Sequence, residues 1–252
     1  MARAVGDLVA ELEAEADEAM ELRQSWNVAP TSDVPIVLER LIDGRRVRQL
    51  HVAKWGLVPA WAKDPSVGVR SFNARSETVV EKPSFRKAVH ARRCAVPAEG
   101  YYEWRKTGEG KSLAKQPYLV RPADGSLILF AGVYEWWKDP SKEDGSPGQW
   151  LLSTSILTVP SPEPGSGNPA LEELATLHDR LPMPLDRDAL SDWLDPRDTD
   201  AASLVAWARD GAYRVASKWE LRAVDPAVGN VRNDHPDLME PAAPAEPVAG
   251  LF

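Results

Sequence analysis

Apolar residues recur at helical spacing near the start of the chain and at strand-like intervals further along. Residues 5–22 place apolar side chains every three or four positions among Glu and Asp, which predicts an acidic amphipathic helix. Residues 35–42 and 47–54 are β-rich runs on either side of Asp43-Gly44-Arg45, a pattern that predicts a hairpin. The chain is therefore expected to open with a helix and two paired strands.

Further strands and helices follow without regular alternation. Runs rich in β-branched or aromatic residues predict strands at 93–97, 100–105, 118–121, 127–134 and 150–158. Helical runs are fewer and are expected at 84–90, 171–177, 187–194 and 201–209. Because these elements do not alternate as βαβ units do, the pattern predicts an α+β fold with mainly antiparallel strands.

The polar segments between these elements suggest how the domain is organised. Residues 138–148 and 160–169 are rich in Pro, Gly and Ser, which predicts mobile loops. From Glu240 onward the chain holds prolines and few side chains that can pack, so we expect a disordered tail over 240–252. The remaining residues, 1–239, are expected to form one domain.

Composition places the chain among soluble globular proteins. Of its 252 residues, 43% are hydrophobic and 27% charged. No window approaches the ~20 consecutive apolar residues that cross a bilayer, and the acidic start lacks the apolar block of a signal peptide. A single cysteine, Cys94, cannot form an intramolecular disulfide. We expect a cytoplasmic monomer that does not bind membranes.

The charge is distributed unevenly. Residues 40–106 hold 15 Lys and Arg against 6 Asp and Glu, a local net charge of +9, which leaves −17 for the rest of a chain that totals −8. Aromatic residues interleave with these charges, among them Trp55, Trp61, Phe72, Phe85 and Trp104. Cations and aromatic rings together are typical of single-stranded nucleic-acid binding, although an ordinary solvated surface explains the charges equally well.

Three segments carry side chains suited to catalysis. Glu103 lies between Tyr102 and Trp104 in a predicted strand, and a carboxylate among aromatic rings suits general acid/base work. Asn73 and Arg75 lie two residues apart, where an amide can orient a reacting group and a guanidinium can clamp a phosphate. The alternatives are an exposed strand Glu and, for residues 72–77, a helix N-cap at Ser76.

His178 is the best candidate for a proton shuttle, because imidazole titrates near neutral pH. Its neighbours Asp179 and Arg180 are placed to orient the ring or a substrate, although most lone histidines are not catalytic. The sequence contains no HExxH motif, no paired His/Cys spacing, no GxGxxG and no Walker-type loop. We therefore expect no metal and no cofactor.

Six segments, taken in order, resemble the SOS-response-associated peptidase (SRAP) family. They are residues 27–31 (NVAPT), 55–62 (WGLVPAWA), 73–77 (NARSE), 93–104 (RCAVPAEGYYEW), 129–135 (LFAGVYE) and 178–182 (HDRLP). Residues 228–234 (VGNVRND) are also similar to the closing motif of the family. The resemblance spans nearly the whole chain and implies a barrel-like antiparallel core with peripheral helices.

The resemblance also implies an activity. Members bind single-stranded DNA and condense an N-terminal cysteine with the aldehyde of an abasic site, which gives a covalent DNA–protein crosslink in the damage response. Carried over by motif, Asn73, Glu103 and His178 are the catalytic residues, and Arg75, Trp55 and Trp61 contact DNA. Hydrolase, protease and lyase activities have all been associated with this family, its peptidase reaction being the removal of residues ahead of the cysteine.

The chain departs from the family at its start, where Ala2 stands in the place of the cysteine. We expect a displaced start, with an in-frame Cys codon just upstream of Met1, because Asn73, Glu103 and His178 are all still present. If the chain starts as given, with Ala2 and no cysteine there, its α-amine can form only a reversible Schiff base with the aldehyde. A non-catalytic single-stranded DNA-binding protein is a further alternative, whereas general proteolysis is not expected.

Overall fold

The computed structural model of the chain describes residues 3–107 and 114–242. Its strands are β1 (Asp33–Ile42), β2 (Arg45–Trp55), β3 (Asn73–Arg75), β4 (Arg93–Ala98), β5 (Tyr101–Thr107), β6 (Ala114–Pro122), β7 (Ile128–Lys138), β8 (Trp150–Pro160), β9 (Arg180–Pro182), β10 (Pro184–Leu185) and β11 (Trp219–Ala223). Its helices are α1 (Val5–Leu12), α2 (Arg86–Ala91), α3 (Pro169–Leu177), α4 (Leu190–Leu194) and α5 (Ala201–Ala216). The predicted α+β class is confirmed.

Five strands close on themselves as a barrel. They are hydrogen-bonded in the order β7, β4, β1, β2 and β8, and β8 pairs again with β7. Most pairings in the described residues are antiparallel, whereas β2 and β3 each run parallel to β8. A second sheet holds β11, β6 and β5. The expected mainly antiparallel, barrel-like core with peripheral helices is confirmed.

The barrel interior is apolar and tightly packed. Ile36 and Leu38 of β1 are buried there, and Leu38 pairs with Cys94 of β4. Cys94 Sγ lies 3.4 Å from Oγ1 of buried Thr154. Burial raises the pKa of the Cys94 thiol to about 12, so this cysteine stays protonated and acts as a small apolar residue.

The first helix is shorter than its pattern predicts. α1 ends at Leu12 because Glu13 adopts a left-handed conformation with φ 51°. Glu15 then forms a bridge with Gln49 at the edge of β2, and its carbonyl oxygen accepts a hydrogen bond from the Leu50 N–H at 2.8 Å. The prediction of helix over residues 13–22 is wrong, because these bonds to β2 replace the helical ones.

Both polar loops contain hydrogen-bonded turns. In the β7–β8 loop, buried Gln149 accepts from the Gly145 N–H at 2.9 Å and donates to Asp144 at 2.7 Å. Before α3, one oxygen of Glu172 accepts from the N–H groups of Gly165 and Gly167, at 2.9 and 3.0 Å. Each loop is therefore organised around one polar side chain.

The last described residues pair with β11 and the residue that follows it. Pro241 forms a bridge with Val224, and the Ala242 N–H donates to the Ala223 carbonyl at 2.8 Å. The remainder of the expected disordered tail, residues 243–252, lies outside the described residues. Within the described part, the longest helix is α5 with 16 residues, and none has the length and apolar character to span a bilayer.

Two glycines allow a close backbone approach beside the end of β2. Gly56 has φ 144°, and a Cβ added to it would lie 2.6 Å from the Gly68 carbonyl oxygen. Glycine is therefore required on both sides of this contact. The approach seats the 3₁₀ helix Pro65–Arg70 against the chain after β2 and fixes the start of the segment that leads to β3.

Candidate functional site

β3 presents two of the predicted site residues on one face. Asn73 and Arg75 are exposed while Ala74 between them is buried, because side chains alternate along a strand. Register places Asn73 opposite Ile156 and Arg75 opposite Thr158 of β8. Arg75 has no ion-pair partner among the described residues, so its guanidinium is available to a phosphate.

The two predicted DNA-contacting tryptophans differ in their surroundings. Trp55 is partly buried, and its indole N–H donates to the Phe72 carbonyl at 2.9 Å. Its ring also packs edge-to-face on Phe72, with the centroids 6.0 Å apart. Trp61 is 61% exposed. Trp55 therefore supports the residue before Asn73, whereas Trp61 offers an open ring face.

Glu103 lies on β5 between Tyr102 and Trp104. Its Oε1 accepts from the Trp104 N–H at 3.0 Å, and register places it opposite Tyr118 on β6. Burial, and next the negative charge of Glu103, raises the pKa of Tyr101 well above its ordinary value.

His178 directly follows α3 and opens onto a cleft. The cleft has a volume of about 790 Å³, and its walls include Trp104, Lys106, Glu163, His178 and Asp179. The His178 side chain is 45% exposed, and its Nδ1 accepts from the Arg180 backbone N–H at 3.0 Å. Trp104 and Lys106 of β5 line this cleft together with His178, whereas Glu103, which alternates with them along the strand, is not among its lining residues.

An ion pair that the sequence does not reveal connects β3 to the His178 turn. Glu77 and Arg180 lie 103 positions apart, and their carboxylate and guanidinium meet in a two-pronged contact at 2.5 and 2.8 Å. Arg180 Nη2 also donates to the Thr158 carbonyl of β8 at 2.7 Å. Both residues belong to recognised motifs, but only the folded chain shows that they are partners.

The three predicted catalytic side chains lie on three different segments: β3, β5 and the turn that follows α3. Within the described residues, no hydrogen bond joins Asn73, Glu103 and His178 to one another. Asn73 lies four residues before Glu77, and His178 lies two residues before Arg180. The ion pair therefore fixes the segment of Asn73 relative to the segment of His178. Two of the three segments that carry these side chains are thereby tied together.

Asn27 and Asp234 form a clasp between distant parts of the chain. The Asn27 side-chain amide donates to three backbone carbonyls, those of Val228, Asn233 and Asn230, at 3.0, 3.0 and 3.3 Å. Asp234 Oδ1 accepts from the Trp26 N–H at 2.7 Å. These motif residues therefore hold the fold together, a role that their spacing in the sequence does not indicate.

The clasp also reaches the strand of Glu103. The Tyr102 hydroxyl donates to the Trp26 carbonyl at 3.0 Å. Burial, assisted by the charge of Asp234, raises the pKa of Tyr102 to about 12, so this donor stays protonated. β5 is thereby fastened from the side opposite to Glu103.

A comparison with known families identifies the chain. The profile described as SOS response associated peptidase (SRAP) matches residues 1–231. The chain belongs to the SRAP family. Within the described part of this SRAP chain, no group of three or more His, Cys, Asp or Glu side chains is placed to hold a metal ion.

Curated relatives of this SRAP protein agree with the assignment. The abasic site processing protein YoqW of Bacillus subtilis (strain 168) is 34% identical over 220 residues, which cover 87% of each chain. The abasic site processing protein HMCES of Gallus gallus is 31% identical over 253 residues, which cover 87% of this chain and 66% of that protein. The likeness extends from a bacterium to a vertebrate.

A solved structure supports the fold of this SRAP protein. A Bacteroides thetaiotaomicron protein superposes with a TM-score of 0.72 at 22% identity, covering 96% of this chain and 98% of its own. At that identity the likeness concerns the fold alone. Ala2 lies outside the described residues.

Proposed function

We propose that this SRAP protein processes abasic sites in single-stranded DNA by a covalent reaction at the sugar aldehyde. The observation that carries the proposal is the ion pair that holds the Asn73–Arg75 strand beside the His178 turn, at the rim of an open cleft. The names of the curated relatives support the substrate, since YoqW and HMCES are both abasic site processing proteins.

DNA binding is assigned to the exposed groups around β3. Arg75 offers an unpaired guanidinium to a phosphate, and Trp61 offers a ring face on which a base can stack. Trp55 shapes the surface from beneath through its bond to Phe72. The excess positive charge of residues 40–106 attracts the polyanion to this region.

The chemistry begins with attack of an amine on the opened sugar. An α-amine is partly unprotonated near neutral pH, and it adds to the aldehyde carbon to give a carbinolamine. Loss of the hydroxyl as water gives an imine. The single cysteine of this sequence, Cys94, is buried in the barrel and cannot close that imine to a thiazolidine, so the product of this chain is the reversible Schiff base. Glu103 exchanges protons during these steps, His178 stabilises the imine, and Asn73 orients the reacting sugar.

An adduct assay with three oligonucleotides tests the proposal. Abasic single-stranded DNA is expected to give an adduct that borohydride traps, whereas intact single-stranded DNA and abasic duplex give little. The variants Asn73→Ala, Glu103→Gln and His178→Ala should each lower the rate of adduct formation about 100-fold or more. The matched control Asn168→Ala changes an amide at the N-cap of α3 and should leave the rate unchanged.

The same assay distinguishes covalent processing from non-catalytic binding of single-stranded DNA. The exposed Trp61 ring and the unpaired Arg75 need no reaction to bind single-stranded DNA. If intact and abasic oligonucleotides bind equally and no adduct is trapped, the protein is a binding protein and the covalent proposal is wrong. An adduct that survives heat without borohydride would contradict a Schiff base as the final product.

A further inference from the structure

Two groups compete for one ring nitrogen of His178. Nδ1 lies 3.0 Å from the backbone N of Arg180 and 3.0 Å from Oδ1 of Asp179. A backbone N–H can only donate, so it favours an imidazole whose proton is on Nε2. A carboxylate can only accept, so it favours a proton on Nδ1. The balance decides which nitrogen offers a proton to the cleft.

The backbone contact is the more firmly held of the two. The Asp179 side chain is 82% exposed, so water screens its attraction and the side chain loses freedom when it pairs. The Arg180 N–H belongs to a turn that is fixed by the backbone. Ser161 holds that turn from one side, because its N–H donates to the Asp179 carbonyl at 3.0 Å and its hydroxyl donates to the His178 carbonyl.

The Arg180 side chain holds the turn from the other side. Its guanidinium meets both oxygens of Glu77, and it also donates to the carbonyl and hydroxyl oxygens of Thr158, at 2.7 and 3.1 Å. The hydrogen bond from Arg180 holds the pKa of Glu77 at about 2, so this carboxylate is charged at neutral pH. A two-pronged pair anchored to a strand leaves the guanidinium little freedom.

We propose that Glu77 and Arg180 are positioning residues for His178, holding the turn whose N–H keeps the neutral imidazole protonated on Nε2. Nε2 has no hydrogen-bond partner in the described part of the chain, and the ring lines the cleft. His178 therefore acts as a hydrogen-bond donor to an oxygen of the sugar rather than as a base. The identity of that ligand rests on the proposed function, whereas the tautomer does not.

Nitrogen-15 NMR of the histidine rings in the full chain tests the tautomer without DNA. The His178 signal is assigned by its loss in His178→Gln, and His51, His90 and His235 serve as internal references. The neutral ring is expected to show a single Nε2–H pattern. Glu77→Gln and Arg180→Lys should shift the signal toward a mixture of both tautomers, and Glu77→Asp should restore most of the original pattern.

Two control variants separate positioning from general effects. Asp179→Asn removes the competing carboxylate and should leave the Nε2–H pattern unchanged. Glu220→Gln breaks a comparably exposed pair with Arg121 and Arg222 on the second sheet and should also leave it unchanged. An Nδ1–H pattern in the wild-type chain overturns the proposal, as does an unchanged pattern in folded Glu77→Gln.

Adduct kinetics give a second, functional readout. Glu77→Gln should slow adduct formation about tenfold through misplacement of the ring, with affinity for intact single-stranded DNA changed less than about twofold. An equal loss of rate and affinity would contradict a positioning role. If the wild-type chain gives no adduct at all, the proposed function fails while the NMR result still decides the tautomer.

Discussion

The backbones of Gly56 and Gly68 approach so closely that a Cβ on Gly68 would lie 2.5 Å from the Gly56 carbonyl oxygen. Gly68→Ala should therefore push the 3₁₀ helix away from β2 and lower the free energy of unfolding by about 1–3 kcal/mol. Urea denaturation measures the change. Gly211→Ala is the matched control, since it lies inside α5 with room for a Cβ and should raise stability by about 0.5–1 kcal/mol. If Gly68→Ala were as stable as the wild type, the close contact between the Gly56 and Gly68 backbones would not be required for stability.

The Glu77–Arg180 ion pair should make the free energy of unfolding depend on pH in the acidic range. The pKa of Glu77 falls from its usual 4.5 to about 2 in the folded chain, so the folded state binds this proton less tightly than the unfolded state. The stabilisation is complete above about pH 4.5 and is lost as the pH falls toward about 2. The difference in unfolding free energy between wild type and Glu77→Gln should therefore shrink over that range. A difference that is constant with pH would contradict this assignment.

The two tryptophans should separate DNA binding from folding. Trp61→Ala removes an exposed ring and should weaken single-stranded DNA binding by about 1–3 kcal/mol, with stability changed by less than about 0.5 kcal/mol. Trp55→Ala removes a packed ring and its bond to Phe72, and should lower stability by about 3 kcal/mol. Fluorescence anisotropy and thermal melting measure the two effects. The reverse pattern would exclude Trp61 from the DNA contact.

The salt dependence of single-stranded DNA binding should show that Arg75 contacts a phosphate. Arg75→Ala should weaken binding of intact and abasic single strands alike, because a phosphate contact carries little information about the lesion. The slope of log affinity against log salt should fall by about 0.7, the value for one phosphate on a single strand. Arg197→Ala changes an arginine that already pairs with Asp195 and should leave the slope unaltered. Equal slopes for Arg75→Ala and wild type would rule out the contact.

The stability of the protein should depend on the two N–H hydrogens that the Asn27 side chain donates. Asn27→Ala leaves three carbonyls without their partner and should cost about 1–3 kcal/mol of stability. Asn27→Asp should cost at least as much, because a carboxylate facing three carbonyl oxygens repels them. Chemical denaturation measures both variants. If Asn27→Asp retained full stability, the clasp would not depend on donation by this side chain.

Much of the fold is encoded locally and was predictable. The β-rich runs on either side of Asp43-Gly44-Arg45 marked the β1–β2 hairpin, and the helical spacing of apolar residues marked α3 and α4, because both signals depend on neighbours a few positions apart. The end of α1 was not predictable from its apolar spacing. Residues 13–22 continue the helical pattern, but Glu15 bonds to Leu50, which lies 35 residues away in the sequence.

The candidate site was predictable as a set of residues but not as a geometry. Asn73, Arg75, Glu103 and His178 stood out by chemical type and motif. The Glu77–Arg180 pair and the Asn27 clasp did not, because each joins segments more than 100 positions apart and no local spacing encodes such a contact. The different surroundings of Trp55 and Trp61 likewise follow from packing that only the folded chain determines.

The Asn27 clasp has a consequence for how the protein is made. The carbonyls that Asn27 binds belong to residues 201 to 206 positions later in the chain, so these bonds cannot form until nearly all of the domain has left the ribosome. β8 likewise joins β2 late, after about 100 intervening residues have been synthesised. Contacts of such long sequence separation form slowly. The nascent chain must therefore keep its barrel strands from aggregating until synthesis of the domain is almost complete.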